Sequence, residues 1–367
     1  MKDLSTINII GGGIGGLTTA LALQSVGINY NLYEAKLEIT YENVGLGISA
    51  NLFPILKEWN IFHETKVLGS EIQRFHFVDK ALKYIKSFSI EKPALSINRK
   101  LFYELLHKHL NQQNIHLNSP KSFADFSPND IVIAADGINS KTRKKIFPNL
   151  QLRDSNQVLW RGISEIILDK KFQNAYHDFV GNNLRFAIIH TGKDYYSWYI
   201  IKENNKGKSL SGNKEDLKFF FKDYHPIVNQ VIGASNDIYY SELLDIDPKE
   251  RKNLSWHVNN TIMIGDAIHP TTPNMANGAC LAMEDSYLLA NLLGRKDLTF
   301  GEAFATFQKR RTNKVDTVVY QSYWLGKLMH QKYKLMDSLI IKGMALTPQF
   351  LFNKIYSNIL KETRIEN

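Results

Sequence analysis

The stretch Ile7-Asn8-Ile9-Ile10-Gly11-Gly12-Gly13-Ile14-Gly15-Gly16-Leu17 decides the fold. A short apolar run suited to a buried parallel strand enters the glycines, and a helical pattern of Leu17, Ala20, Leu21 and Leu23 leaves them. Gly27 reads as the stop of that helix, and Tyr30 to Tyr33 as a second strand ending on Glu34. Gly11, Gly13 and Gly16 fill a GxGxxG pattern: one for the tight turn, one for close approach of backbone to a pyrophosphate, one for helix–strand packing. The helix start at Ile14 offers free N–H groups and partial positive charge to phosphates. Glu34, with Ala35 beside it, lies eighteen positions past Gly16, close to the ~20 expected of a carboxylate that binds a ribose hydroxyl. Such a carboxylate disfavours a 2′-phosphate, so the pattern points to FAD or NAD rather than NADP.

Gly45-Leu46-Gly47-Ile48-Ser49-Ala50 has the same formal spacing, but the preceding Tyr41-Glu42-Asn43-Val44 is too short and polar for a buried strand. It reads instead as a flexible loop passing close to something flat, with Ser49 or Asn51 capping the next helix.

The 367 residues are too many for one simple core and fit two interleaved domains or one large domain with a cap, and 44% hydrophobic with 22% charged content is that of a globular chain. The net charge of +9 is spread among nearly as many acids and comes with no nucleic-acid-binding motif, which argues against nucleic acid as a partner. Cys280 is the only cysteine, so internal disulfides and CxxC sites are excluded and a reducing, cytoplasmic setting is expected. His107 and His109 sit two apart on a predicted helix and point away from each other, so no metal site is expected. No run reaches the ~18 apolar residues of a membrane span, and a monomer or weak homodimer is expected.

Arg74 to Val78 and Tyr84 to Phe88 alternate like antiparallel strands, and a helix is predicted from Arg99 to about His109. Ile131 to Ala135 and Ile262 to Ile264 read as buried strands, Val158 to Ile201 as strand-rich, Glu215 to Val231 as helix, and the chain beyond Gly278 as nearly all helical. The expected fold is α/β: a Rossmann-type dinucleotide domain with an inserted β-rich domain and C-terminal helices. The expected boundaries are 1–70, 97–157 and 254–325 for the first, 71–96 and 158–253 for the second, and 326–367 for the C-terminal helical segment.

Three further segments carry a family resemblance. Asp130 to Ala135 followed by Asp136-Gly137-Ile138-Asn139-Ser140 and Arg143 resembles the DG motif of flavoprotein aromatic hydroxylases. Ile264-Gly265-Asp266-Ala267-Ile268-His269-Pro270 resembles their GD motif, and continues through Pro273, Asn277-Gly278-Ala279 and Ala282-Met283-Glu284-Asp285. Trp160-Arg161-Gly162 is similar too. The family is the class A flavin monooxygenases, and the resemblance runs in order through most of residues 5–325. It implies FAD contacts at Gly11, Gly13, Ile14, Gly16, Glu34, Ala35, Gly47, Arg99, Asp136, Asp266, Pro273, Gly278 and Ala279. Two departures stand out: 116–130 is short where the family carries a β-meander, and Asn277 replaces a common Gln. For His269 a structural role is the better expectation.

The resemblance implies a monooxygenase in which NADH or NADPH reduces FAD and a flavin C4a-hydroperoxide transfers one oxygen of O2 to a small organic substrate, aromatic or conjugated. With no second nucleotide fingerprint, the pyridine nucleotide visits the flavin pocket transiently. The rival readings are an FAD-dependent dehydrogenase or reductase on the same fold, and a flavin-binding protein without turnover. Arg185 and Tyr196, on the β-rich segment around 184–199, are expected to position the substrate, the arginine by stabilising an oxyanion.

Overall fold

All four residues of β1 (Ile7–Ile10) are buried, as a strand covered on both faces requires, and β1 lies inside a six-stranded sheet. The computed structural model describes residues 6–38, 41–181, 183–204, 213–330 and 334–351. From β1 the chain passes through α1 (Ile14–Ser25), β2 (Tyr30–Tyr33), β3 (Gly45–Ile48), α2 (Phe53–Glu58), α3 (Phe62–Leu68), β4 (Ser70–Val78), β5 (Tyr84–Asn98) and α4 (Arg99–Lys108). Next come β6 (Ile115–His116), β7 (Val132–Ala134), α5 (Lys141–Ile146), β8 (Arg153–Glu165), β9 (Ala175–Gly181), β10 (Leu184–His190) and β11 (Tyr195–Glu203). Then follow α6 (Lys214–Phe220), α7 (Pro226–Gly233), β12 (Tyr239–Asp245), α8 (Pro248–Arg251), β13 (His257–Val258), β14 (Thr261–Met263), α9 (Gly278–Gly294), α10 (Phe300–Met329) and α11 (Lys334–Leu346).

The smaller sheet runs β13-β14-β7-β1-β2-β6, parallel except for its edge strand β13. Helices α1, α4 and α9 bury their apolar residues with it in one core that includes Ile7, Leu17, Phe102, Ile133, Ile262 and Leu289. This is the Rossmann-type α/β unit. The larger sheet runs β12-β8-β11-β10-β9-β4-β5-β3 and is antiparallel apart from the β4–β9 pair. Its outer face carries Trp160, Phe179, Phe186, Tyr196 and Trp198, which pack on Leu217 and Phe221 of the α6 region and Val228 and Val231 of α7.

Alternation explains the division of faces. Across one row of the sheet Tyr239, Arg161, Tyr199, Ala187, Asp178 and Phe77 are cross-strand partners and so point the same way, away from α6 and α7. The sheet curls about this inner face. Ser197, inner-facing on β11, lies where a side chain at Gly45 of the edge strand β3 would collide with its hydroxyl, and the Tyr239 hydroxyl accepts from Asn43 N at 3.2 Å.

Three expectations are corrected. Gly45–Ile48 is a strand paired with β5, not a flexible loop, because β5 runs on to Asn98 and offers it an edge. Ser49 occupies the cap position of the next turn without a capping hydrogen bond, and the Asn51 amide instead donates to Glu284. The single helix expected over 215–231 is two, since Pro226 starts a new one with His225 as its cap. Between α4 and β7 the only strand is the two-residue β6. Residues 352–367 of the expected C-terminal helices lie outside the described residues.

Candidate active site

Strands β1, β7 and β14 run parallel, so Gly11, Asp136 and the Gly265-Asp266 pair leave their C-terminal ends on one rim. A side chain at Gly11 would strike the Ala135 carbonyl, and one at Gly16 would strike the Gly11 carbonyl. A Cβ on Gly13 would meet nothing within 4 Å. The turn is therefore tight on its inner side and open in front, which leaves room for a pyrophosphate. Helix α1 starts there with Gly13 as its cap, no side-chain cap and no acidic residue in its first turn. The Ile14 N–H is taken by the Tyr103 hydroxyl at 2.9 Å.

A second helix start faces the same rim. Gly15 packs on Ala282, and Thr18 and Thr19 both pair with Ser286 at 2.9 Å. Residues advance together along α1 and α9, so the two helices run parallel with their N-termini at the same end. Helix α9 also begins without a side-chain cap or an acidic first turn. The Pro273 turn before it closes through Ala276, which is left-handed at φ 50° and exposed, and Gly278 and Ala279 open the helix half-buried. Two uncapped helix starts concentrate unpaired N–H groups and positive potential at one place.

The carboxylates have distinct settings. Glu34 accepts from Gly12 N at 2.6 Å and Lys36 N at 2.9 Å, which pins the glycine turn to the end of β2, with Ala35 exposed next to it. Asp136 accepts from Thr142 N at 3.0 Å, and its other oxygen is buried without a partner. Asp266 has an exposed side chain on an otherwise buried turn, yet burial in the surrounding protein pushes its carboxyl up, opposed by His269, Arg99 and Arg143. An accessible group surrounded by protein lines a concavity.

Arg99 starts α4 and reaches the Tyr103 hydroxyl, one turn on, at 3.1 Å and Glu42 at 3.5 Å. Burial works against its charge, but Tyr103, Glu42 and Asp266 hold its pKa above the ordinary value. Gly47 sits on β3 within reach of Ala276, since a Cβ there would come 3.8 Å from the Ala276 carbonyl. Its own carbonyl accepts from Cys280 at 3.4 Å.

The thirteen residues expected around the cofactor thus converge on one concave rim. The residues present fit FAD: open space in front of Gly13, the unpartnered Asp136 oxygen, and the buried, unpartnered Asn277 amide where α9 begins. Sequence reasoning missed Tyr103 as a partner of both Ile14 and Arg99, although its spacing from Arg99 is one helical turn. It also missed Glu42, which pairs with Arg161 of the inner sheet face as well as with Arg99.

Arg185 and Tyr196 are not brought together. Arg185 is buried on the inner face, ion-paired with Asp178, with its Nε 2.9 Å from the Asp178 carboxylate and its Nη2 at 3.3 Å from the Tyr176 hydroxyl and 3.1 Å from that of Tyr199. Tyr196 lies on the outer face in the α6–α7 core, its ring 5.1 Å from His190, because it is three residues, an odd number, from Tyr199. Beside the Arg185 cluster the inner face is aromatic: Phe75 stacks on Tyr176 at 3.8 Å and on Phe88 at 5.4 Å. Among the described residues no group of three or more His, Cys, Asp or Glu side chains is placed to hold a metal ion, and no helix is long and apolar enough to cross a membrane.

A dinucleotide rim at a parallel sheet, facing a curled aromatic sheet across a cleft, defines a flavin-dependent oxidoreductase. Residues 127–303 match the family model described as FAD binding domain. The chain is 25% identical to the aurachin C monooxygenase/isomerase of Stigmatella aurantiaca over 352 residues, covering 89% of this chain and 90% of that one. It is 26% identical to the 3-hydroxybenzoate 6-hydroxylase of Polaromonas naphthalenivorans, covering 88% and 87%. In fold it is similar to Klebsiella pneumoniae HpxO complexed with FAD and uric acid, with a TM-score of 0.84, 22% identity and 97% of each chain covered. The chain thus resembles the class A flavoprotein monooxygenases of the aromatic-hydroxylase type, and it is an FAD-dependent monooxygenase.

Proposed function

We propose that this enzyme uses NADH or NADPH to insert one oxygen atom of O2 into a small aromatic or conjugated substrate, held between the flavin rim and the inner face of the larger sheet. The observation that carries this reading is the arrangement of two parallel helix starts and Asp266 opposite an aromatic wall containing the Arg185–Asp178 pair. FAD, once reduced, supplies the electrons that activate O2.

Gly11, Gly13, Ile14 and Gly16 would hold the pyrophosphate, and Glu34 with Ala35 the adenosine ribose. Arg99, Asp136 and Asp266 would hold the linker between the two halves. Gly47, Pro273, Gly278 and Ala279 would lie along the flavin ring, where the α9 start stabilises negative charge. On the substrate side we assign the contact to Tyr199, the half-buried member of the cluster, whose hydroxyl is bonded to Arg185 and Tyr176, with Asp178 holding Arg185 from behind. Phe75 and Phe88 supply flat apolar surface. The sequence carries no second dinucleotide pattern, so the pyridine nucleotide shares the cleft and leaves.

The test is a substrate screen following pyridine-nucleotide oxidation and O2 uptake together, with mass spectrometry of the product. A product that gains one oxygen atom supports the reading. Substrate-dependent flavin reduction that passes electrons to an acceptor anaerobically, with no oxygenated product, would establish a dehydrogenase instead.

A further inference from the structure

The turn 265–269 is gripped from inside and from two neighbouring helices. Gly265 is left-handed at φ 55°, a conformation other residues adopt with strain, and a Cβ there would come 3.1 Å from Ala282. The turn closes on itself through Ile268 N and His269 N, which donate to the Gly265 carbonyl at 3.0 and 2.9 Å. Within 264–270 every residue except Asp266 is buried.

One carboxylate oxygen spans this turn from end to end. Asp285 Oδ2, on the second turn of α9, accepts from Gly265 N at 3.0 Å and from His269 Nε2 at 2.6 Å. Its Oδ1 accepts from Arg311 Nε of α10 at 2.6 Å. Arg311 also pairs with Glu284 and donates to the Leu281 carbonyl at 3.2 Å. Glu284 in turn accepts from Lys314 and from Asn51, both at 2.6 Å. Asp285, Arg311 and His269 are at most 1% exposed, so they are fully desolvated. Burial alone would push the Asp285 carboxyl up, but His269 and Arg311 hold it below its ordinary value.

Buried ionic clusters are poor sources of net stability, because desolvation costs about as much as the pairing returns. What this one does is geometric. With Gly265 N and His269 Nε2 on the same oxygen, the turn has one closed form, and in that form Asp266 is the residue turned outward.

We propose that Asp285 is a positioning residue for the cofactor, acting through Gly265 and His269 to hold Asp266 in the orientation that receives FAD. The proposal rests on the reading that Asp266 faces FAD. A preset carboxylate loses less conformational freedom on binding, and the gain belongs to Asp266 alone. Asp285 itself is wholly buried beneath the turn.

The test is a double-mutant cycle on FAD affinity. Apoprotein of wild type, Asp266→Ala, Asp285→Asn and the double variant is titrated with FAD, following quenching of flavin fluorescence. Asp285→Asn is expected to raise the dissociation constant about tenfold when Asp266 is present, and less than about twofold when it is not. Equal factors in both backgrounds, or no change on Asp285→Asn alone, would overturn the proposal. Should Asp285→Asn not fold, His269→Phe removes one donor to the same oxygen and enters the cycle in its place. Asp245→Asn, which unpairs a buried carboxylate from Arg153 on the β12–β8 edge, controls for general loosening and should leave the FAD constant unchanged. If Asp266→Ala itself binds FAD as wild type does, the reading of the rim fails, and this proposal with it.

Discussion

Arg143 and Asp266 are 123 residues apart in the chain, and the Arg143 Nη1 donates to the Asp266 carbonyl at 3.1 Å. The same nitrogen reaches the Ala267 carbonyl at 2.8 Å, and Nη2 reaches that of Ile138. One buried guanidinium thus joins the turn after β7 to the turn after β14. Arg143→Ala would leave three carbonyls without that donor, and each unsatisfied buried group costs about 1–3 kcal/mol. The expected outcome is a lower thermal midpoint together with loss of FAD from the purified protein, read by melting curves and by the absorbance ratio of flavin to protein. Arg143→Lys, which cannot span the three acceptors, should fall between alanine and wild type.

Glu34 should discriminate the adenosine half of the cofactor. Its two oxygens already hold Gly12 N and Lys36 N, so its truncation removes both a ribose acceptor and the brace of the glycine turn. A charge-assisted hydrogen bond contributes roughly 1.5–3 kcal/mol, so Glu34→Ala is predicted to weaken FAD binding on the order of tenfold to a hundredfold. The flavin that remains should have the wild-type visible spectrum. Cofactor released from the wild type by heat should chromatograph as FAD; FMN would refute the role given to residues 11–34.

Much of the rim was legible because its signals are local. A strand, a glycine turn and a helix in one run of 7–25 declare themselves by period, and the positions after β7 and β14 are short motifs at strand ends. The inner sheet face was not legible in the same way. Which side chains share it depends on the pairing of β12, β8, β11, β10, β9 and β4, segments up to about 170 residues apart, and on a curl that brings Ser197 against Gly45. Arg185 could be placed on one side of its own strand by alternation. Tyr196 could not be placed relative to it, since that needs the register Ala187↔Tyr199. Asp178, the partner of Arg185, lies on a third strand and was missed for the same reason.

Two tyrosines three apart now give opposite predictions. Tyr199→Phe keeps the ring but removes the hydroxyl bonded to Tyr176 and Arg185. Once a substrate is found, it should lower the fraction of pyridine-nucleotide oxidation that yields oxygenated product, with FAD binding unchanged. Tyr196→Phe, on the outer face, should leave coupling at the wild-type level. Arg185→Met strands Asp178 as an unpaired buried carboxylate, which is expected to cost about 3–5 kcal/mol of stability; Arg185→Lys is therefore the informative variant for coupling. Wild-type coupling in both Tyr199→Phe and Arg185→Lys would move the substrate away from this part of the sheet.

The outer face of the same sheet predicts an acid limit to stability. His76 and His177 are register partners on β4 and β9 with rings 4.6 Å apart. Burial, with the charges of neighbouring residues adding to it, lowers His76 to about 4 and His177 to about 3; Arg74 acts on both and Lys171 on His177. Away from that face, at the end of α10, burial lowers His330 to about 4, against the Gly326 and Ile201 carbonyls on its ring nitrogens, which favour the protonated form. In the unfolded chain these groups titrate near 6.5. Between that value and 3–4 the unfolded state binds more protons, so stability falls as pH falls through this window and is fully present above it. At pH 5 each such histidine costs on the order of 2 kcal/mol relative to pH 7.5. Denaturant melts from pH 7.5 to 4.5 should show this decline in the wild type. His177→Phe, which suits the surrounding Phe172 and Tyr84 rings, should flatten it by about one histidine's share while leaving FAD affinity unchanged. An unaltered pH slope in His177→Phe would mean that this imidazole is protonated as readily in the folded protein as in water.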